Sequence, residues 1–166
     1  MAFSEFISNI TKNGKLIYCV EDENVREIVK DAPKHIKLIP YGKGSNNYSK
    51  LDFMSPLLGR HNELNTLAAY ALGESLGIQK LIIKESIENY QGAKRRLEYR
   101  GEAKGMKVYD DYGHHPTEIT ATISAIGEKY PSHDLYVVFL PHQYLRIKPL
   151  LSQFAKAFSG AKEVIL

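Results

Sequence analysis

The chain has 166 residues, 43% of them hydrophobic and 25% charged, with a formal net charge of +3. That length holds one domain or two small ones, and the composition is ordinary for a globular protein. The mild positive balance suits an anionic small molecule and does not require nucleic acid, and Cys19, the single cysteine, excludes an internal disulfide and a cysteine-rich zinc site.

Phe3, Phe6, Ile7 and Ile10 recur at helical spacing, so residues 3–12 are expected to form a short helix closed by Asn13-Gly14. Residues 15–20 follow as a strand, in which Cys19 is expected as a buried thiol. Asp22 can cap a helix carrying Val25, Ile28 and Val29, and residues 36–40 are expected as the next strand. Residues 42–48 are a polar loop of Gly, Ser and Asn. Beyond Gly59 the run Thr66 to Leu72 is dense in helix formers. Gly77 ends that helix, and residues 78–90 are expected to form another. No apolar run reaches membrane-spanning length and the N-terminus lacks a basic and apolar leader, so the expected setting is reducing and cytoplasmic, without a membrane partner.

Asn62 and Asn65 lie three apart and share a helix face. Two amides there can read an adenine edge, each offering a donor and an acceptor, or can serve as a helix cap and a solvated side chain. Lys94-Arg95-Arg96 can be a solvated turn or a clamp on phosphate or ribose. Residues 97–100 and 106–109 are expected as two strands of a hairpin around the connection 101–105. A domain boundary is placed near residues 88–94.

The centre of the chain is Lys107 to Ile119. A strand ends in the polar turn 110–115, and Pro116 then suits the first turn of a helix over 116–129. Asp110, Asp111, His114 and His115 stand together at that strand's carboxyl end, the position at which α/β sheets bind ligands. Either aspartate can also be a plain turn former. Strand 134–140, a helix over about 146–158 and strand 163–166 continue the alternation, which predicts a parallel sheet with crossover helices. In such a sheet the loop carrying His142 and Arg146 falls beside the 110–115 turn. Arg146 is then either an anion contact or a helix-start surface charge. A metal site at the histidine pair has little support, because adjacent histidines rarely ligate one ion together.

Four motifs carry a family likeness. Gly59-Arg-His61-Asn62-x-x-Asn65, Gly92-Ala-Lys-Arg95-Arg96-Leu-Glu98, Asp110-Asp111-Tyr-Gly-His114-His115-Pro116-Thr-Glu118 and Pro141-His142-x-Tyr144-x-Arg146 resemble the Mur ligases. The L-alanine-adding members are the nearest in pattern, and the ligase that recycles murein tripeptide is similar too. The resemblance implies an α/β fold in which residues 1–88 are the C-terminal part of a central ATPase-type domain. Residues 89–166 would be the first half of a Rossmann-like C-terminal domain. It implies ATP and Mg2+ as cofactors, UDP-N-acetylmuramate and L-alanine as substrates, and the remaining ligase domains as partners. The implied reaction activates a carboxylate as an acyl phosphate, which the amino-acid amine then attacks.

By the same resemblance Asn62 and Asn65 are adenine contacts, Arg95 and Arg96 ribose or phosphate contacts, and Asp111 an acceptor for the ribose hydroxyls. His114, His115, His142 and Arg146 belong to the amino-acid end, with His115 as the catalytic candidate. Two departures stand out: no Gly-Lys-Thr or Gly-Lys-Ser phosphate loop occurs in this sequence, and Gln143 replaces the family's Arg after the Pro-His pair. The expected consequence is that this chain alone does not turn over. An alternative is a non-catalytic nucleotide-binding module derived from such a ligase.

Overall fold

The computed structural model describes residues 2–142 and 144–166, the side chains of Tyr144 and Arg146 excepted. It divides into two compact units, residues 1–56 with 62–90 and residues 57–61 with 91–166.

The first unit begins with helix α1 (Ala2–Ser8), strand β1 (Lys15–Cys19), helix α2 (Glu23–Val29) and strand β2 (Lys37–Tyr41). Asp22 caps α2 by accepting from the Val25 N–H at 3.1 Å. β1 and β2 pair in parallel, Ile17 opposite Ile39 and Cys19 opposite Tyr41, with α2 as the crossover. Ile7, Val29 and Ile36 form the local core, with Leu16, Val25 and Ile28 packed on it. Burying such apolar side chains is what holds these short elements together. Helix α1 stops short of the expected residue 12, and Cys19 is half-buried rather than buried.

Helices α3 (Arg60–Ser75) and α4 (Lys80–Glu88) follow. The Gly77 and Ile78 N–H groups bond back to the carbonyls of Glu74 and Gly73, which closes α3. That closure uses Ile78, so α4 starts two residues later than its apolar pattern suggests.

The second unit contains β3 (Glu98–Ala103), β4 (Met106–Asp110), α5 (Pro116–Lys129), β5 (Tyr136–Val138), α6 (Tyr144–Ala157) and β6 (Glu163–Ile165). β5 and β6 pair in parallel, and α5 and α6 pack against them through Ile119, Ile123, Phe154 and Ala157. Leu135, Val137 and Phe139 point into this core, while Tyr136, Val138 and Leu140 are exposed, the alternation a strand imposes.

The mixed α/β class agrees with the sequence, but two expectations are corrected. Among the described residues β4 does not join β5 and β6 in a three-stranded parallel sheet, while its antiparallel pairing with β3 is the expected hairpin. The hairpin turn is also tighter than residues 101–105. Ala103 pairs with Met106, and Lys104 and Gly105 alone make the turn, with φ of 52° and 79°. Positive φ at both central residues is the turn geometry that suits the twist of paired strands. Gly101 instead lies within β3, where the register shifts between Tyr99 and Gly101. This two-residue turn lets β3 satisfy an edge of β4 from the adjacent stretch of chain.

Candidate functional site

The site builds from the carboxyl end of β4. Asp111 follows the strand and turns the chain: its Oδ1 accepts from the Gly113 N–H at 2.7 Å, while its Oδ2 accepts from the Leu97 N–H at 2.8 Å. A side chain at position 113 would put its Cβ 2.6 Å from Asp111 Oδ1, so only glycine lets the loop close on that carboxylate. The Tyr112 N–H donates to the Arg95 carbonyl at 2.7 Å, and the Arg95 N–H donates to Glu98 Oε2 at 2.8 Å. The arginine stretch is thereby tied to loop 111–115 through main-chain groups. That N–H of Arg95, followed by the Arg100 guanidinium, holds the Glu98 carboxyl below the usual carboxylate range.

Both guanidinium groups lie against Tyr112, Arg95 at 5.1 Å and Arg96 at 5.8 Å from the ring centre. The His114 ring meets the same tyrosine edge-on at 5.1 Å. Arg95 also faces Asp110 at 3.5 Å and Arg96 faces Glu118 at 3.6 Å.

α5 opens directly after the loop. His115 is its N-cap, accepting from the Thr117 N–H through Nδ1 at 3.3 Å, and Pro116 follows in the first turn. Glu118 answers from the third helical position: its Oε2 accepts from the N–H groups of both His114, at 3.0 Å, and His115, at 3.2 Å. This is a capping box with histidine in the place usually held by Ser or Thr. Partial burial pushes the Glu118 carboxyl up, but the two histidine N–H groups, the His114 ring and Arg96 together outweigh it and hold the group below the usual range.

The two imidazoles are oriented oppositely. His114 Nδ1 lies 3.0 Å from the Tyr112 carbonyl, which can only accept, so Nδ1 carries the proton. Nε2 of neutral His114 is then an acceptor. His115 Nδ1 accepts from a main-chain N–H, so the proton of its neutral ring sits on Nε2.

Arg95, Arg96, Asp111, His114 and His115 thus fall in one cluster of the second unit. Asn62 and Asn65 belong to the first unit, on one face of α3, where Asn65 Nδ2 donates to Asn62 Oδ1 at 3.4 Å. His142 is exposed, while Gln143 and the Arg146 side chain lie outside the described residues. The neighbouring-strand argument for bringing His142 and Arg146 to the 110–115 turn loses its basis, because among the described residues β4 and β5 belong to separate sheets. Tyr112 and Glu118 complete the cluster although neither was singled out as a site residue from sequence. The spacing of His115 and Glu118 was the available signal for the latter, since it is that of a capping box. Among the described residues no group of three His, Cys, Asp or Glu is placed to hold a metal ion. Nor is any described helix long and apolar enough to cross a membrane.

A mixed α/β chain with an imidazole-bearing loop between strand and helix, beside two arginines, is the class these features define. Residues 95–166 match the family described as Mur ligase, glutamate ligase domain. Residues 95–166 thus carry a Mur ligase domain, and the chain as a whole is similar to Mur ligases. It is 36% identical to the UDP-N-acetylmuramate–L-alanine ligase of Bdellovibrio bacteriovorus, over 99% of this chain and 41% of that protein. The crystal structure of UDP-N-acetylmuramate-alanine ligase from Thermotoga maritima is similar at 32% identity and a TM-score of 0.62, over 72% of this chain and 26% of that one. A murein peptide ligase from Psychrobacter arcticus shares the fold, with a TM-score of 0.67 at 19% identity, over 98% of this chain and 38% of that one. The chain thus spans about two fifths of the length of the curated relative it matches.

Proposed function

We propose that this chain is part of an ATP-dependent ligase that joins L-alanine to UDP-N-acetylmuramate in the cytoplasmic synthesis of peptidoglycan precursors. The observation that supports it most is the cluster around loop 111–115, where one carboxylate ties the arginine stretch to the loop and another holds both histidines. The similarity to ligases of that name over nearly the whole chain supports the choice of substrates. In this reading residues 1–88 are the C-terminal part of the central domain and residues 89–166 the first half of the C-terminal domain, with the remaining ligase domains as partners.

Asn62 and Asn65 offer amide donors and acceptors to adenine. Arg95 and Arg96 serve ribose or phosphate, where a planar guanidinium makes charge-assisted bonds. Asp111 accepts from the ribose hydroxyls; each of its oxygens takes one main-chain N–H and keeps further lone-pair capacity. When bound, ATP supplies the phosphoryl group that activates the carboxylate. His114, His115, His142 and Arg146 are assigned to the incoming amino acid. His115 Nε2–H can donate to it, and His114 Nε2 can accept a proton from its ammonium group. In this reading the magnesium ion is held mostly by the remaining ligase domains and the nucleotide phosphates.

The test is calorimetric titration of the purified 166-residue chain with ATP. Binding is expected, weakened about tenfold in Asp111→Ala, in keeping with losing one charged hydrogen-bond acceptor. No ADP is expected from ATP, UDP-N-acetylmuramate and L-alanine with this chain alone. A wild-type chain that does not bind ATP overturns the nucleotide assignment, and ADP release overturns the expected inactivity.

A further inference from the structure

Glu118 stands where the arginines and the histidines of the cluster meet. Its two oxygens face different ways. Oε2 accepts from the main-chain N–H groups of His114 and His115 at 3.0 and 3.2 Å. Oε1 faces the Arg96 guanidinium at 3.6 Å. Oε2 is also 3.6 Å from His114 Nδ1. A capping box needs only the bond to the N-cap N–H. The second N–H and the guanidinium are additional partners, and each belongs to a candidate site residue.

We propose that Glu118 is a positioning residue that couples Arg96 to the His114–His115 pair. The carboxylate is held at the start of α5 by its own helix and by the two amides. A change at Arg96 can therefore reach the histidines through the one carboxylate that all three residues face. Coupling of this kind is reciprocal: whatever displaces Arg96 alters the histidines, and whatever displaces the histidines alters Arg96. The proposal rests on the reading above for its functional meaning, because Arg96 is there a nucleotide contact and the histidines face the amino acid. Glu118 would then make occupation of the first site felt at the second. Its own contact with substrate is not required.

The experiment follows the main-chain amide resonances of His114 and His115 in the 15N-labelled chain. Arg96→Ala is expected to move both resonances in the wild-type background and to leave them in place in Glu118→Gln. Glutamine keeps an acceptor for the helix cap but removes the charge facing Arg96. Equal movement in both backgrounds, or movement in neither, overturns the coupling. Unchanged hydrogen-exchange protection at Ile123 and Ile126 shows that helix α5 is intact in each variant.

Should Glu118→Gln not fold, an acid titration of the wild type decides instead. The Glu118 carboxyl carbon, the two histidine amides and the Arg96 Nε–H signal are expected to share one midpoint, and separate midpoints overturn the proposal. ATP titration forms the second arm. Glu118→Gln is expected to weaken ATP about fivefold, and Arg96→Ala with Glu118→Gln to weaken it no more than Arg96→Ala alone, as contacting residues behave. Additive losses overturn the coupling. If the wild type does not bind ATP, the nucleotide reading fails by itself, and the amide comparison still decides the role of Glu118.

Discussion

Asp111 Oδ2 accepts the main-chain N–H of Leu97 at 2.8 Å, across fourteen residues of sequence. Leu97 has φ of 52°, a left-handed conformation that leucine rarely adopts. The carboxylate holds that strained residue in place, and with it the two preceding arginines. Asp111→Ala is therefore expected to lower stability by about 1–3 kcal/mol, the range for stranding a partly buried donor. Asp111→Asn, which keeps one acceptor oxygen, should lose less. Urea unfolding monitored by circular dichroism checks both. An unchanged midpoint in the alanine variant would show that the bond contributes nothing.

Glu118 predicts a pH dependence whose sign is fixed by its environment. Its carboxyl is held below the ordinary range in the folded chain, because its N–H donors, the His114 ring and Arg96 favour the charged form more than burial opposes it. The unfolded chain therefore binds this proton more readily than the folded one. The contribution is fully present above the unfolded value and is lost as pH falls through the folded value. Denaturant midpoints measured from neutral pH into acid should fall for the wild type and fall less for Glu118→Gln. Parallel curves for the two proteins would contradict this account. The group is partly exposed, so added salt should reduce the difference.

Gly59 sits at φ of 86°, and a Cβ there would lie 2.7 Å from the Ala125 Cβ of helix α5. Gly59→Ala is expected to cost about 1–3 kcal/mol, combining backbone strain with a steric clash. Ala125→Gly removes the opposing atom but weakens the helix by about 1 kcal/mol. The double variant should therefore be more stable than the sum of the single losses predicts. Thermal unfolding of the four proteins measures that interaction, and strict additivity would place the cost in the backbone alone.

Asn62 and Asn65 lie on one face of α3, with an amide-to-amide distance of 3.4 Å. If they contact adenine, Asn65→Ala should weaken ATP about fivefold, matching the loss of one net hydrogen bond of roughly 1 kcal/mol. GTP should be weakened less, so the preference for adenine falls. Competition titration of the two nucleotides gives the ratio directly. Equal losses for both would assign the asparagines to the helix start and not to the base.

Several elements were legible because their signals are local. Helix α5 begins at Pro116 and ends at Lys129 as the sequence indicates, since proline, the first-turn carboxylate and the apolar spacing all agree there. The Asp22 cap was legible for the same reason. The Mur ligase resemblance was legible from four motifs, because spacing between chemical groups survives in sequence even where strand pairing does not. The roles of individual residues were less so: a carboxylate reads the same in one dimension whether it shapes a turn or meets a ligand.

Tertiary structure alone decided which strands share a sheet beyond the hairpin and what each polar side chain faces. The β3–β4 hairpin was legible, but the alternation of strands and helices also favoured a parallel partner for β4, and among the described residues β5 and β6 pair with each other alone. Hydrogen-bond partners across a sheet are non-local, so periodicity along one strand cannot name them. The opposite orientations of His114 and His115 likewise depend on whether a carbonyl or an amide lies beside each Nδ1. Asp111 could be read as a turn former or as a site residue; folded, it shapes the loop with both oxygens while joining that loop to the arginines, because Leu97 is brought to it from across the hairpin. Motif order carried the family resemblance and the alternation of strands and helices the α/β class; proximity carried the cluster.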